Sequence, residues 1–241
     1  WLDSSNINST NNAFINANST LNIWIDLSGN ANIPTQSVEA NMPIFVESAL
    51  NGLDGITFSQ SNNQYFKLIY DDSINSSNMT IFTIAQTNNL TGTGTILSSQ
   101  DTSQFTGYEI VADNSNNELQ LNIGNSSAYQ TSRSGTNTLT DAFILVGQHS
   151  TGANKLYTNG QLDAENSYNY VTNTSQPARI GAGSTLNQPT SYFDGTIYEI
   201  IVISTTLSDK ERIQINYYLS KKWGLNNRID SDQDGYIDDN D

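Results

Sequence analysis

Along most of the chain the apolar positions recur with a period of two. Short runs of β-branched and aromatic residues alternate with polar ones and are cut by Gly, Asn, Ser and Asp turns. That is the pattern of stacked antiparallel strands, each with one face in a core. It predicts strands at 23–27, 55–59, 65–70, 80–86, 94–99, 107–112, 118–123, 142–149, 154–158, 161–165, 178–182 and 195–203. Between two of them stands Asn159-Gly160, a pair that favours the positive φ angles of a type I′ hairpin. A dozen short strands at hairpin spacing predict an all-β chain folded as a two-sheet antiparallel jelly-roll sandwich.

One segment departs from this period. From Leu207 to Leu225 the spacing becomes 3.6, with Ile215, Tyr218, Leu219 and Trp223 on one face. Ser208 followed three residues later by Glu211 forms a capping box, acidic residues fill the first turn, and Lys221 and Lys222 fill the last. Gly224 supplies the stop. A single C-terminal α-helix, packed by its apolar stripe on the sandwich, completes the expected fold. Trp1, Trp24 and Trp223 are expected as core or end-of-module packing.

Composition narrows the range of functions. The 241 residues hold nine basic and 24 acidic side chains, a net charge of −15, and no cysteine. Nucleic acid is excluded, since a phosphate backbone is bound through Lys and Arg, and so is an anionic membrane surface. Disulfides and thiolate zinc sites are excluded as well. Asn, Ser and Thr number 33, 29 and 25, yet the seven N-x-S/T sequons are about what that composition gives by chance. No apolar run approaches the roughly 18 residues of a membrane span. The opening Trp1-Leu2-Asp3, without a start methionine or a leader, is expected of a mature or excised fragment.

Six of the acidic residues fall in the last twelve positions, DSDQDGYIDDND, after a short linker at 226–229. Asp230, Asp232 and Asp234 alternate like the hard oxygen ligands at positions 1, 3 and 5 of a calcium loop, and Gly235 permits the sharp turn. Tyr236 offers its carbonyl, and Asp238 and Asp241 stand where a coordination shell would close, with Asp241 replacing the usual Glu. The expected cofactor is therefore Ca2+. This stretch, 230–241, resembles a truncated thrombospondin type 3 repeat, which implies a calcium-stiffened stalk.

The remaining chain, residues 1–225, resembles the laminin-G-like, concanavalin A-like modules of bacterial surface proteins. The stretches that carry the likeness are WLDSSNI at the start, WIDLSGNAN at 24–32, LNGLDGITF at 50–58, LYTNGQL at 156–162, ARIGAG at 178–183 and residues 193–225 ending in KKWGL. The resemblance implies a noncatalytic, secreted or surface-anchored module that binds a glycan or a surface-protein ligand, here within a modular adhesin beside other domains.

Enzymatic alternatives lack their residues. Retaining glycosidases of this shape set two Glu on one strand face as E-x-D-x-E, and none of the seven Glu here is paired so. Asp163-Ala164-Glu165 is expected as a solvated strand edge. The single His149 has no partner motif, and no G-x-S-x-G elbow occurs. Ligand contacts are expected instead on rim loops. Asp71, Asp72 and Asp101 offer oxygens there, and Tyr168, Tyr170 and Tyr192 offer faces for sugar rings. The alternative to a ligand-binding module is a structural spacer or self-assembling subunit of a surface layer or filament.

Overall fold

The protein is described by a computed structural model over residues 1–239. In chain order its strands begin with β1 (Leu2–Asp3), β2 (Ile44–Leu50), β3 (Leu53–Phe58), β4 (Phe66–Leu68) and β5 (Met79–Thr87). The middle of the chain supplies β6 (Thr93–Asp101), β7 (Thr106–Asp113), β8 (Glu118–Gly124), β9 (Tyr129–Arg133), β10 (Phe143–Ser150), β11 (Ala153–Thr158) and β12 (Gln161–Asn166). Then follow β13 (Ala178–Ile180), a ribbon of β14 (Gly183–Thr185) and β15 (Gln188–Thr190), β16 (Gly195–Ile203) and helix α1 (Asp209–Lys222).

Two antiparallel sheets stack face to face. The larger runs β12-β11-β10-β5-β16-β3-β2, with β1 paired onto β16; the smaller runs β4-β13-β6-β7-β8-β9. Ile56, Phe58, Phe66, Tyr108, Ile110, Leu121, Leu145 and Ile197 are among the side chains that fill the space between them. The larger sheet is buried on its other face too, where Phe82, Ile84, Ile144, Val146 and Tyr198 meet Leu219 and Trp223 of α1 and Leu225 and Ile229 beyond it. Burial on both faces explains why β5, β10 and β16 read as nearly unbroken apolar runs in the sequence. The expected two-sheet sandwich with one C-terminal helix is the fold observed.

Local expectations fare unevenly. The turn at 159–160 has both φ angles positive, 52° and 88°, as a type I′ hairpin requires. The stretch 23–27 is not a strand. It makes only an isolated bridge between Ile23 and Thr35, because the Asp26 carboxylate gathers Ser28 and the Asn32 N–H into a turn. Strands β2, β9, β14 and β15 were hidden in the sequence. The residues of β2, β9 and β15 are largely half-exposed and β14 is a three-residue Gly-Ser-Thr run, so no clean alternation marks them.

Helix α1 carries the capping box at Ser208 and Glu211, with Asp209 and Glu211 in its first turn and Lys221 and Lys222 in its last. Its buried stripe is rotated by one position from the expected one. Leu219 and Trp223 are fully buried, but Tyr218 is 53% exposed, and Arg212, Asn216 and Ser220 are buried in its place. The reason is the segment after the helix, which folds back over that side: Asn216 Nδ2 donates to Ser231 Oγ at 2.8 Å, and Ser220 Oγ donates to Asp238. Trp24 and Trp223 are buried as expected, whereas Trp1 is 40% exposed, with its indole N–H bound to Glu199.

Candidate functional site

In the smaller sheet, Tyr108, Ile110 and Ala112 of β7 point into the core, so Glu109 and Val111 point away from it. Strand register extends this outward face across every strand. Lys67, Arg179, Ser98, Glu109, Asn122 and Thr131 are successive cross-strand partners, one from each of the six strands. All six are polar, so the sheet carries a single row of hydrogen-bonding groups opposite its apolar face.

Glu109 is the centre of that row and is partly exposed. Its Oε1 accepts from Thr95 Oγ1 at 2.6 Å, and its Oε2 accepts from Asn122 Nδ2 at 3.1 Å and Gln100 Nε2 at 3.3 Å. Desolvation pushes its carboxyl above the ordinary range against these hydrogen bonds, and no charged neighbour enters the balance. The β14–β15 ribbon lies over the row from Arg179 to Glu109. A side chain at Gly183 would meet the Glu109 carboxylate at 2.5 Å and Thr95 Oγ1 at 2.7 Å, so glycine there lets the ribbon lie directly against both. Beneath the ribbon Arg179 is 3% exposed, with Nη2 donating to the Asn187 carbonyl at 2.7 Å and Nε and Nη1 unpartnered. Burial lowers the guanidinium's affinity for its proton. Ser98 Oγ, Ser184 Oγ and Asn122 Oδ1 are likewise buried without a partner. Buried polar atoms are nearly always satisfied, so a cluster of unpartnered donors and acceptors on one face is able to bond a polar ligand or water. At the other end of the row, Phe105 is 42% exposed and packs edge-on against Tyr129 at 5.9 Å, next to the sheet surface.

The residues expected on rim loops each sit in a local network of their own. Asp71 caps a 3₁₀ turn over Asp72–Ile74 by accepting from the Ser73 N–H, and Asp72 accepts from the Tyr70 hydroxyl. Asp101 is 6% exposed and spends Oδ1 on Ser103. Tyr168 and Tyr170 pack against the core, and the Tyr170 ring lies 4.2 Å from that of His149. Tyr192 pairs with Tyr65 at 6.0 Å and donates to the Pro189 carbonyl. Asp163 is half-buried, with Oδ2 unpartnered and a carboxyl raised by burial, whereas Glu165 is exposed and lies 3.6 Å from Lys155. The polar row was missed because its members are distant in sequence. Its one readable signal was Glu109 set out of phase with Tyr108 and Ile110.

In the tail, carboxylate oxygens of Asp230, Asp232 and Asp234 lie within 4.8 Å of one another. Asp230 accepts from the N–H groups of Gln233 and Gly235, and Asp234 from that of Tyr236, which wraps the backbone around the cluster. Three gathered carboxylates repel one another in the absence of a cation, so this donor set fits a hard divalent ion. Asp238 is held elsewhere: its Oδ1 accepts from the Ser231 N–H, and its Oδ2 from the hydroxyls of Ser231 and Ser220. Asp241 lies outside the described residues.

Residues 59–211 match the sequence model of the concanavalin A-like lectin/glucanases superfamily. No curated relative matches the sequence. Among solved structures, the CBM40 of the Ruminococcus gnavus IT-sialidase, bound to α2,3-sialyllactose, is similar at a TM-score of 0.54 and 17% identity, covering 67% of this chain and 96% of its own. Domain 4 of AbnA, a GH43 extracellular arabinanase from Geobacillus stearothermophilus in complex with arabinotriose, gives 0.55 at 17% identity, covering 69% and 77%. The binding domain of Botulinum neurotoxin DC in complex with SialylT gives 0.50 at 13% identity, covering 84% and 45%. At these identities the likeness is one of fold.

Proposed function

This chain belongs to the concanavalin A-like lectin/glucanases superfamily, and from that premise we propose that it is a noncatalytic glycan-binding module acting through the outward face of its smaller sheet. The observation that carries the reading is the polar row with its unpartnered side-chain atoms. Glu109 and Asn122 are partly exposed residues whose oxygens suit sugar hydroxyls, and Asn122 Oδ1, buried at the site, has no partner among the described residues. Phe105, exposed beside Tyr129, offers an apolar face of the kind on which a sugar ring stacks. The noncatalytic reading rests on the sequence, where none of the seven Glu is paired as the E-x-D-x-E of a retaining glycosidase of this shape. Similar modules solved with α2,3-sialyllactose and with arabinotriose supply the first probes.

Calorimetric titration with both sugars, followed by a glycan array, tests the reading. At least one glycan is expected to bind. Glu109→Ala and Phe105→Ala should each weaken it about tenfold, near 1.4 kcal/mol, while Asp72→Asn leaves it unchanged. Because burial raises the Glu109 carboxyl, affinity should fall on acidification at a higher pH than an ordinary carboxylate would set. A silent array overturns the reading and favours a structural spacer.

The same proposal places the module in a secreted or cell-surface adhesin, with residues 230–241 as a calcium repeat of thrombospondin type 3 kind. Asp230, Asp232 and Asp234 would hold the ion, whose role is to neutralise their charge and stiffen the tail. Calorimetry with calcium should give a heat that Asp232→Asn and Asp234→Asn reduce together with any Tyr236 fluorescence response. No heat and no response would dismiss the calcium site.

A further inference from the structure

A buried charge cluster lies away from the polar row, where β1, β16 and α1 meet. Lys222 Nζ is 2.6 Å from Asp3 Oδ2 and 2.7 Å from Glu199 Oε2, with side-chain exposures of 13%, 8% and 0% for Lys222, Asp3 and Glu199. Asp3 and Glu199 are cross-strand partners in the β1–β16 register, so both carboxylates leave the sheet on the side of the helix. Two indoles close the site: Trp1 Nε1 donates to Glu199 Oε1 and Trp223 Nε1 to Glu199 Oε2, each at 2.7 Å. Charges taken out of water in this way are a costly filling for an interior.

We propose that Lys222 and Asp3 become joined by an intramolecular amide bond that the protein forms by itself, with Glu199 relaying the proton. The two oxygens of Asp3 are already differentiated for such a step. Oδ1 accepts from the Ser5 N–H at 2.9 Å and from the Ser5 hydroxyl at 2.7 Å. These donors hold it as the carbonyl oxygen and draw electron density from Cγ, as an oxyanion site does. Oδ2 faces the amine, and Lys222 is its one hydrogen-bond partner among the described residues.

In the reaction the bond from Nζ to Cγ forms and the bond from Cγ to Oδ2 breaks. Lys222 enters as an ammonium and Asp3 as a carboxylate; Nζ gives up two protons, and Oδ2 leaves with both as water. No oxidant or other co-reactant is needed. The positive and negative charges of the pair disappear together, which removes their desolvation cost. Burial works against the Lys222 ammonium, but the two carboxylates outweigh it and hold the group above its usual value. The nucleophilic amine is therefore reached by handing a proton to Glu199, which contacts Nζ directly. Burial raises the Glu199 carboxyl, which equips it to hold that proton until the departing oxygen takes it. Glu199 ends as it began.

Intact mass spectrometry of the purified chain tests this. The protein should weigh less than its sequence by one water, about 18 Da. Trypsin should release residues 222–228 joined to residues 1–67 as one peptide, since Lys67 is the first cleavable site. Lys222→Arg, checked for folding by circular dichroism, should return the full mass, and Glu199→Gln should slow or abolish the loss. A folded wild-type chain at its full sequence mass overturns the proposal. So does a water loss that persists in Lys222→Arg, which would assign it to a succinimide at an Asp-Gly step such as Asp234-Gly235.

Discussion

His149 shows how a residue's surroundings decide its role. It is the chain's one histidine and is 4% exposed; its Nδ1 is paired with the Asn154 side chain and its ring packs edge-on against Tyr170. Burial lowers its pKa from 6.5, while bonds to Asn154 and the Ser77 backbone oppose the shift. The folded protein thus keeps the imidazole neutral where the unfolded chain protonates it, so stability is full above the unfolded value and is lost as pH falls through it. The urea midpoint should decline between about pH 7.5 and 5.5, and His149→Gln should flatten that decline; an equal slope in the variant would place the titration elsewhere. The sequence showed no partner motif for this histidine; the structure pairs it with the side chain of Asn154, five residues on in the adjacent strand. Glu109 was harder to single out. Alternation in GYEIVA placed it outward, yet its value lies in register with Ser98, Asn122 and Arg179, and register between strands is not written in any one of them.

At the scale of elements, the helix was readable to its caps and misread on its face. Capping depends on four adjacent residues, so the sequence contains all of it. The buried face depends on what lies against it, and here two surfaces do: the larger sheet meets Leu219 and Trp223, and the returning tail meets Asn216 and Ser220. Leu219→Ala should therefore cost about 2–5 kcal/mol in urea unfolding, while Tyr218→Ala should change stability by less than about 0.5 kcal/mol. Equal effects would mean that the helix sits in the orientation its apolar residues alone suggest. Strand β2 escaped notice for a related reason: Glu47 and Ser48 interrupt it, and Ser48 takes a φ of 49° where the register shifts.

Across the whole molecule, the period-two pattern was enough to reach the two-sheet sandwich, because nearly every central strand alternates or runs apolar. What it could not supply was the closure. The first strand of the chain joins the sheet beside its last, and the helix seals that junction from outside. Asp3 and Lys222 are 219 positions apart and meet at one buried point. That junction has a mechanical consequence. Tension applied ahead of residue 3 and behind residue 222 passes from one to the other through Glu199 and its partners, in a path a few side chains long. The smaller sheet lies off that path, so the face that carries Glu109 keeps its shape while the molecule is pulled.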